Sequence, residues 1–197
     1  MTTKTSTDRR IRYTKMVLRE SLINLLEHKP IERITIKEIC ADADINRATF
    51  YTHYADQYDL LKQIEEELYT NISVSLSQLS QDPANPNTLK QAENIFDYLR
   101  DNARITRLLL SDRGDFSFQK RVMQLVYDLI TTQLRVTKSL SAKDAEYVYA
   151  FTITGCVGIV QRWLDDDMRK SSKAMAKMVI GMTIGLIQSL KADSFTE

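Results

Sequence analysis

Residues able to build a metal site or a catalytic centre are few in this 197-residue chain, and they are poorly grouped. Only two histidines occur, and no cysteine, aspartate or second histidine shares a helix face with His53 at the spacing of metal ligands. The acidic runs at 65–67 and 165–167 are typical of solvated helix faces or helix ends. Phosphate-binding loops and nucleophile motifs are absent from the sequence. The sequence therefore predicts no metal site, no cofactor and no enzyme activity.

A different chemistry is available between residues 46 and 54. Four outward residues there follow the spacing i, i+1, i+4 and i+5, which places them on one face of a helix. They are Arg47, Ala48, Tyr51 and Thr52. In a helix-turn-helix, the second helix enters the major groove of DNA, and its exposed side chains meet the base edges. This spacing therefore indicates a helix that could read DNA.

The elements that must position this face follow from a helical period that dominates the chain. Pro30 ends the first helix, because proline cannot continue the hydrogen-bond ladder. Thr35 and Glu38 form a capping box at the start of the second helix, Asn46 caps the third, and Asp56 caps the fourth. The predicted helices span about residues 8–28, 35–42, 47–54, 56–80, 88–101, 103–111, 115–138, 142–166 and 172–191.

The second and third helices are too short to be stable alone, so we expect them to pack on the first as a three-helix unit. Such a unit needs an apolar set that faces inward, with a small residue where the two short helices approach each other. The sequence supplies that set as Ile39, Ala43, Ile45, Phe50 and Tyr54.

These motifs resemble the TetR family of bacterial transcriptional regulators. The resemblance runs over residues 35–61 and rests on the segments Thr35–Cys40, Ile45–Tyr54 and Asp59–Leu61. It implies an all-α fold of about nine helices, with an N-terminal helix-turn-helix domain and a larger C-terminal helical bundle. The expected domains are a DNA-binding domain at 1–55, a connecting helix at 56–80, and a dimerisation and effector-binding domain at 81–197.

The sequence departs from the family pattern at three positions. Asp44 stands where the turn usually has glycine, and Asp tolerates a left-handed backbone better than most residues. Ala48 replaces a common glycine, which should stiffen the recognition helix. Gln57 stands where a lysine often contacts phosphate, so the electrostatic share of DNA binding is expected to be weaker.

The resemblance and the chemistry of the side chains together assign roles on DNA. Arg47 suits guanine O6 and N7, and the methyl group of Thr52 suits thymine. Asn46 either caps its helix or reads adenine. We expect phosphate contacts from Thr35 and Lys37 at a helix N-terminus, and backbone contacts from two positions of the family pattern, Tyr51 and His53. The candidate DNA-binding residues are Thr35, Lys37, Asn46, Arg47, Ala48, Thr49, Tyr51, Thr52, His53 and Gln57.

The net charge of +1 gives no overall argument for a nucleic-acid partner, but the charge is unevenly distributed. Residues 1–19 carry six lysines and arginines against one aspartate, so Arg9, Arg10 and Arg12 either reach DNA or form a solvated arm. No secretory signal and no apolar run of membrane-spanning length is seen. Cys40 and Cys156 are predicted to be free thiols, so the expected location is the cytoplasm.

Four glycines fall inside the last two predicted helices, where each costs about 1 kcal/mol relative to alanine. Close helix packing would explain them, either within one chain or between two chains. TetR-like proteins dimerise through their last two helices, so the resemblance favours a homodimer on a pseudo-palindromic operator. The candidate interface residues are Gly155, Gly158, Ile159, Met178, Gly181 and Gly185.

An effector is implied by the resemblance, because the family usually represses and a small molecule releases the DNA. The central helices hold aromatic and methionine side chains that either line an apolar pocket or fill the core. The candidate ligand-binding residues are Phe96, Tyr98, Arg107, Phe118, Met123, Tyr127, Tyr147, Phe151 and Trp163. The alternative is a ligand-independent DNA-binding regulator whose C-terminal domain only dimerises or binds a protein partner.

Overall fold

The computed structural model describes residues 3–79, 85, 87–111, 116–134 and 142–192. Within this part of the chain the fold is all-α, as predicted, with nine α-helices, one 3-10 turn at Ile31–Arg33 and no strand. The helices are α1 (Thr3–Leu26), α2 (Ile36–Asp42), α3 (Arg47–Tyr51), α4 (Gln57–Ser77), α5 (Thr88–Asp101), α6 (Ala103–Leu110), α7 (Phe116–Leu134), α8 (Ala142–Asp165) and α9 (Ser172–Ala192).

The chain separates into two compact units, Met1–Leu68 and Tyr69–Glu197. The boundary lies inside α4, the helix that sequence analysis treats as a connecting segment, so α4 contributes residues to both units. We call them the N-terminal unit and the C-terminal unit.

The N-terminal unit is built on α1, which packs on α2, while α2 packs on α3. The buried hydroxyl of Ser21 on α1 donates a hydrogen bond of 3.0 Å to the Ile39 carbonyl of α2. This bond satisfies a polar group inside the core and fixes the position of the two helices along each other. The centre of the core consists of side chains with no exposed surface, namely Leu18, Leu22, Ile39, Phe50 and Leu60.

The helix boundaries differ from the predicted ones where local hydrogen bonds tighten the chain. Helix α3 was expected to reach Tyr54 but ends at Tyr51. The Thr52 amide and hydroxyl both donate to the Thr49 carbonyl, at 3.2 and 2.6 Å, so the last turn closes early. Helix α1 similarly ends at Leu26 instead of residue 28. The predicted extension of α7 to residue 138 lies outside the described residues.

In the C-terminal unit, α5 packs along α9, α7 packs on α8, and α6 contacts both α7 and α8. Trp163 of α8 is buried and meets the Phe96 ring edge-on, with 5.4 Å between the ring centroids. The Trp163 indole N–H donates to the Lys170 carbonyl at 2.9 Å, and the Arg100 guanidinium lies 5.4 Å from the indole centroid. These contacts fix the turn between α8 and α9 onto α5.

That turn contains two left-handed residues, Asp167 at φ 50° and Met168 at φ 54°. The Ser171 hydroxyl then accepts from the Ala174 amide at 3.2 Å and so caps the start of α9. Among the described residues, no helix is long and apolar enough to cross a lipid bilayer.

Candidate nucleic-acid interface

The turn between α2 and α3 sets the direction of the candidate recognition helix. Asp44 adopts the left-handed conformation at φ 52°, in agreement with the expectation that Asp replaces glycine there. The Ile45 amide donates to the Cys40 carbonyl at 2.9 Å and closes the turn. The Asn46 side chain then accepts from the Ala48 amide at 2.8 Å, which confirms the predicted N-cap.

Helix α3 has a sharply divided surface. Phe50 is completely buried and Tyr54, just after the helix, is 5% exposed, with 5.6 Å between the two ring centroids. The opposite face is open to solvent. Its residues are Arg47, Ala48, Tyr51 and Thr52, all of which are exposed. The buried rings therefore hold the helix while the predicted outward face remains available to a partner.

One side chain of this face and two beside it already have contacts within the protein. The Thr52 hydroxyl uses its hydrogen on the Thr49 carbonyl, which leaves its methyl group and oxygen lone pairs for other contacts. Thr49 and His53 are half-buried, and the His53 ring lies edge-on to Tyr54 with 6.3 Å between the centroids. Both therefore border the exposed face rather than stand at its centre.

The start of α2 is held by the predicted capping box. Glu38 N–H donates to the Thr35 hydroxyl oxygen at 3.3 Å, and the Thr35 N–H donates back to the Glu38 carboxylate at 2.9 Å. The Thr35 hydroxyl also donates to this carboxylate at 2.8 Å, so its hydrogen is engaged within the cap. Thr35 thus has a structural role, and the exposed Lys37 is the free cation beside it.

Lys29, which was not among the residues predicted from the sequence, completes this cap. Its Nζ lies 2.5 Å from Glu38 Oε1. The hydrogen bond from Lys29, followed by that from the Thr35 backbone, lowers the pKa of Glu38 from 4.5 to about 2. Lys29 and Glu38 are nine residues apart, which is not a spacing at which residues of one helix meet. Their ion pair depends on the path of the 3-10 turn between them, so it could not be predicted from the sequence.

A second reciprocal cap begins α4, next to the exposed face of α3. The Asp59 amide donates to Asp56 Oδ1 at 2.8 Å, and the Ala55 amide donates to Asp59 Oδ2 at 2.9 Å. The backbone bond from Ala55 and the side-chain bond from Gln63 lower the pKa of Asp59. Gln57, the candidate phosphate contact, is half-buried in this first turn.

The basic side chains of α1 divide into committed and exposed groups. Arg19 forms an ion pair of 2.6 Å with Glu67, and the Lys15 ammonium lies 6.0 Å from the centroid of the Tyr54 ring. Arg9, Arg10 and Arg12 are exposed. Lys15 is exposed as well, and the side chain of Lys4 lies outside the described residues, so these three arginines are candidates that the structure leaves open to an anion.

The glycines of α8 and α9 lie where their own chain leaves space. Gly155, Gly181 and Gly185 are exposed, and Gly158 is half-buried. A Cβ atom added at any of the four would meet no atom within 4 Å beyond the glycine's chain neighbours and the backbone of its own helix. Close packing against the described part of the same chain therefore does not explain these glycines. The other two candidate interface residues, Ile159 and Met178, are half-buried.

The candidate ligand-binding residues do not gather around one cavity in the described part of the chain. Phe96, Trp163 and Phe118 are buried in the core. Tyr147 and Phe151 point outward with 69% and 72% of their surfaces exposed. The remaining candidates are half-buried, and they are Tyr98, Arg107, Met123 and Tyr127. Tyr127 meets the Tyr149 ring with 5.0 Å between centroids.

A cleft of about 290 Å³ opens between α6 and the end of α8, and Arg107 is the one ligand-binding candidate that lines it. The Arg107 guanidinium donates to the Leu164 carbonyl and lies 3.4 Å from Asp167 Oδ1. The other lining residues were not predicted from the sequence, because the polar ones among them follow no helical period. They are Leu110, Ser111, Gln161, Leu164 and Asp165. Within the described residues, no cluster of three or more His, Cys, Asp or Glu side chains could hold a metal ion.

Comparison with known proteins identifies what the chain resembles as a whole. Residues 86–185 match the family model for the C-terminal region of TetR-type transcriptional regulators. An uncharacterised helix-turn-helix regulator from Bacillus subtilis, YxbF, is 24% identical over 166 residues, which cover 82% of this chain and 42% of YxbF. This chain therefore spans less than half the length of that relative.

Two further proteins match over most of their length. The nucleoid occlusion factor SlmA from Pasteurella multocida is 24% identical over 175 residues, which cover 79% of this chain and 86% of SlmA. The crystal structure of a TetR transcriptional regulator from Streptococcus agalactiae superposes with a TM-score of 0.60 and 21% identity, covering 91% of this chain and 98% of the other. This likeness extends the agreement in fold to both units.

Proposed function

Because the chain belongs to the TetR family of transcriptional regulators, we propose that it is a cytoplasmic repressor that binds a pseudo-palindromic operator as a homodimer and leaves it when a small molecule binds. DNA-binding regulation of transcription is the activity of the family. The dimer, the sign of regulation and the effector are the parts proposed for this chain.

The exposed face of α3 is the observation that carries the proposal. Arg47 presents a guanidinium whose two parallel donors fit guanine O6 and N7. Thr52 presents a methyl group for thymine, because its hydroxyl hydrogen is used within α3. Tyr51, with 53% of its surface exposed, and Lys37 are placed to contact the phosphate backbone. Ala48 lies on the same face and Thr49 and His53 border it, whereas Thr35, Asn46 and Gln57 lie at the starts of α2, α3 and α4.

The glycine-containing faces of α8 and α9 support the homodimer. Four helical glycines with open space around them are costly unless another surface approaches closely. A two-fold dimer would present two copies of α3 about 34–36 Å apart, which matches one turn of DNA and two half-sites of a pseudo-palindrome.

An effector could act from the cleft between α6 and α8. Its lining combines a cation, a carboxylate and two uncharged polar groups with two leucines, so a small polar molecule fits it better than a large aromatic one. Binding releases DNA only if the ligand prefers a dimer in which the two α3 helices are wrongly spaced.

A second candidate function is the ligand-independent regulator. It is favoured by the placement of Phe96 and Trp163, which pack on each other in the core and leave no aromatic lining around the cleft. In that case the C-terminal unit serves only for self-association or for binding a protein. A screen of small polar metabolites by thermal shift separates the two, because a ligand of the native state raises the melting temperature.

Selection from a randomised duplex pool tests the DNA-binding proposal. The purified full chain is expected to enrich a two-fold-symmetric site. Arg47→Ala should weaken binding by about ten- to a hundredfold and relax the sequence preference at one base pair of each half-site. The matched control is Arg169→Ala, which removes an exposed arginine of the C-terminal unit.

The outcomes of this selection are distinct. The proposed operator is supported if a symmetric site is selected, Arg47→Ala weakens binding to it, and Arg169→Ala does not. Enrichment of no consensus, with weak and steeply salt-dependent binding, would mean that the face binds DNA without specific readout. Fusion of the selected site to a reporter then decides the sign of regulation, since a repressor lowers expression and an activator raises it.

A further inference from the structure

One face of α8 carries two large aromatic side chains that nothing in the described part of the chain covers. Tyr147 is 69% exposed and Phe151 is 72% exposed. They are four residues apart, so they are neighbours on the helix surface. Exposed apolar surface is common, but two adjacent and largely exposed aromatic rings indicate an interaction surface.

The same face of α8 continues into two glycines. Gly155 follows Phe151 by four residues, and Gly158 follows it by seven, so all lie along one side of the helix. The opposite side of α8 is the packed one and carries Val157, Trp163 and Leu164, all buried. The unpacked side therefore has protruding rings at its N-terminal end and a recess at its C-terminal end.

Helix α9 has an unpacked side of similar character. Gly181 and Gly185 are exposed and one helical turn apart, and Met182 beside them is 56% exposed. Nearer the start of α9, Ala176 is buried on the side away from these glycines. Met175, seven residues before Met182 and on nearly the same side, is also buried, so the unpacked surface belongs to the C-terminal half of the helix. Both helices thus leave glycine recesses that no described residue of their own chain fills.

We infer that Tyr147 and Phe151 are the anchor residues of the homodimer, and that they pack into the glycine recesses of a second copy of this chain. The inference rests on the proposed dimer and names the contacts that hold it. A second copy is the fitting occupant because one chain supplies both the protruding rings and the recesses. In a two-fold interface each such contact is made twice.

The surface available agrees with what a stable dimer needs. The exposed fractions of Tyr147, Phe151 and Met182 add up to about two complete side chains, or roughly 400 Å² at about 200 Å² each. A standard interface buries about 800 Å² on each partner. Three side chains therefore provide about half of the required area, and the helix surfaces around the glycines can provide the rest.

The first test measures self-association of the full chain by sedimentation over a wide range of concentration. Replacement of Tyr147 and of Phe151 by alanine should each raise the dimer Kd by about tenfold or more, as truncation of an interface anchor does. Tyr13→Ala is the matched control, because Tyr13 is 60% exposed but belongs to the N-terminal unit. Its expected effect on Kd is less than about twofold.

The second test asks whether the rings enter the glycine recesses. Gly158→Leu and Gly181→Leu should each weaken dimerisation. Circular dichroism checks that the helix content is unchanged, as expected where a Cβ atom would meet no atom within 4 Å beyond its own helix. If ring and recess touch, the loss in a variant that combines Phe151→Ala with one of these glycine changes is smaller than the product of the separate losses. If the separate losses in affinity multiply fully in both double variants, the ring and the recess do not touch and the inference is overturned.

A photoreactive phenylalanine analogue in place of Phe151 gives a third readout that keeps the ring. Irradiation in producing cells should yield a product of twice the chain mass, whereas a product of another mass would assign this face to a different protein and overturn the inference. Failure of the proposed dimer is separately visible. If the wild-type chain is monomeric at micromolar concentration, the proposed dimer is wrong. If the chain is dimeric but the Kd is unchanged by Tyr147→Ala and Phe151→Ala, only their role as anchors is wrong.

Discussion

The two units expose their functional candidates in different ways. In the N-terminal unit, Arg47 and Tyr51 stand on a helix of five residues whose start is capped by Asn46 and whose underside is the buried Phe50. In the C-terminal unit, Tyr147 and Phe151 stand on a helix of 24 residues. The first surface is positioned by local hydrogen bonds, and the second lies along a long helix with unfilled space beside it.

The difference follows from what each surface has to meet. DNA offers a fixed pattern of acceptors and donors, so side chains that read it must be held to within fractions of an ångström by their supports. A helix as short as α3 has no stability of its own, and its caps and its core contact provide that position. An apolar face on a long helix is positioned by the helix itself and is completed by burial against a partner.

The largest expected effects come from removing the cores that support each surface. Phe50→Ala and Phe118→Ala each delete a phenyl ring with almost no exposed surface, so each should lower the free energy of unfolding by about 3–5 kcal/mol. Hydrogen exchange should report the loss of protection mainly in the unit that holds the change.

Tyr58→Ala, which removes a ring that is 47% exposed, is the control for that pair and should cost less than about 1 kcal/mol in urea unfolding. Equal loss of protection in both units after either core change would mean that they unfold as one cooperative body. The contrast between two separately supported surfaces would then be wrong.

The next largest effect is expected on DNA binding, where a phosphate contact and a base contact can be distinguished. Lys37→Ala should weaken binding to all DNA sequences alike and reduce the slope of log K against log salt by about one unit. The consensus selected from random duplexes should stay the same, in contrast to Arg47→Ala. Lys173→Ala, at an exposed lysine of α9, serves as the control and should leave the slope unchanged. A changed consensus would place Lys37 against bases instead.

Much of the N-terminal unit could be predicted from the sequence because its determinants are local. The caps at Thr35 and Asn46 and the turn at Asp44 each depend on residues within four positions along the chain, and the structure shows all three. The early end of α3 and the Lys29–Glu38 pair were missed. Both depend on the path of the backbone through a turn, which side-chain types do not specify.

The C-terminal unit was predicted less completely because periodicity identifies a buried face without saying what it faces. The bounds of α5, α6, α8 and α9 agree with the prediction to within one residue. Aromatic composition, however, put Phe96 and Phe151 in one candidate set, whereas the structure buries the first and exposes the second. The polar lining of the cleft had no pattern in the sequence.

Smaller losses of stability are expected from removing one helix cap in each unit. The cap of α2 contains a charged carboxylate, and the cap of α9 is neutral. Thr35→Ala in α2 and Ser171→Ala in α9 should each cost about 1 kcal/mol at neutral pH, because each leaves a helix amide without its acceptor. Thr35→Ser keeps the hydroxyl and should restore most of the stability. An equal loss with serine would show that the threonine methyl, not the capping bond, is responsible.

Of these two caps, only the one at the start of α2 should depend on pH, because it contains a carboxylate. The folded pKa of Glu38 is about 2, below its ordinary 4.5, so the ionised carboxylate stabilises the fold fully above pH 4.5. That stabilisation should decline as the pH falls from 4.5 and be lost below about 2. Acid titration of unfolding should therefore show the wild type and Glu38→Gln converging over this window. A constant difference between them would contradict the role given to Lys29.

The smallest effect is expected from relieving backbone strain at two aspartates that have the same left-handed conformation. Asp44 at φ 52° and Asp167 at φ 50° both occupy the left-handed region, one in each unit. Glycine at either position should raise the free energy of unfolding by less than about 1 kcal/mol, because relief of strain is partly offset by the greater freedom of glycine in the unfolded chain. The ion pair of Asp167 with Arg107 is largely exposed and contributes little to this comparison. Similar gains at both positions, with DNA affinity unchanged for Asp167→Gly, would assign the effect to the backbone. A loss at Asp44 alone would show that its carboxylate supports the turn before α3, and the positioning of the recognition face would then depend on one more local bond.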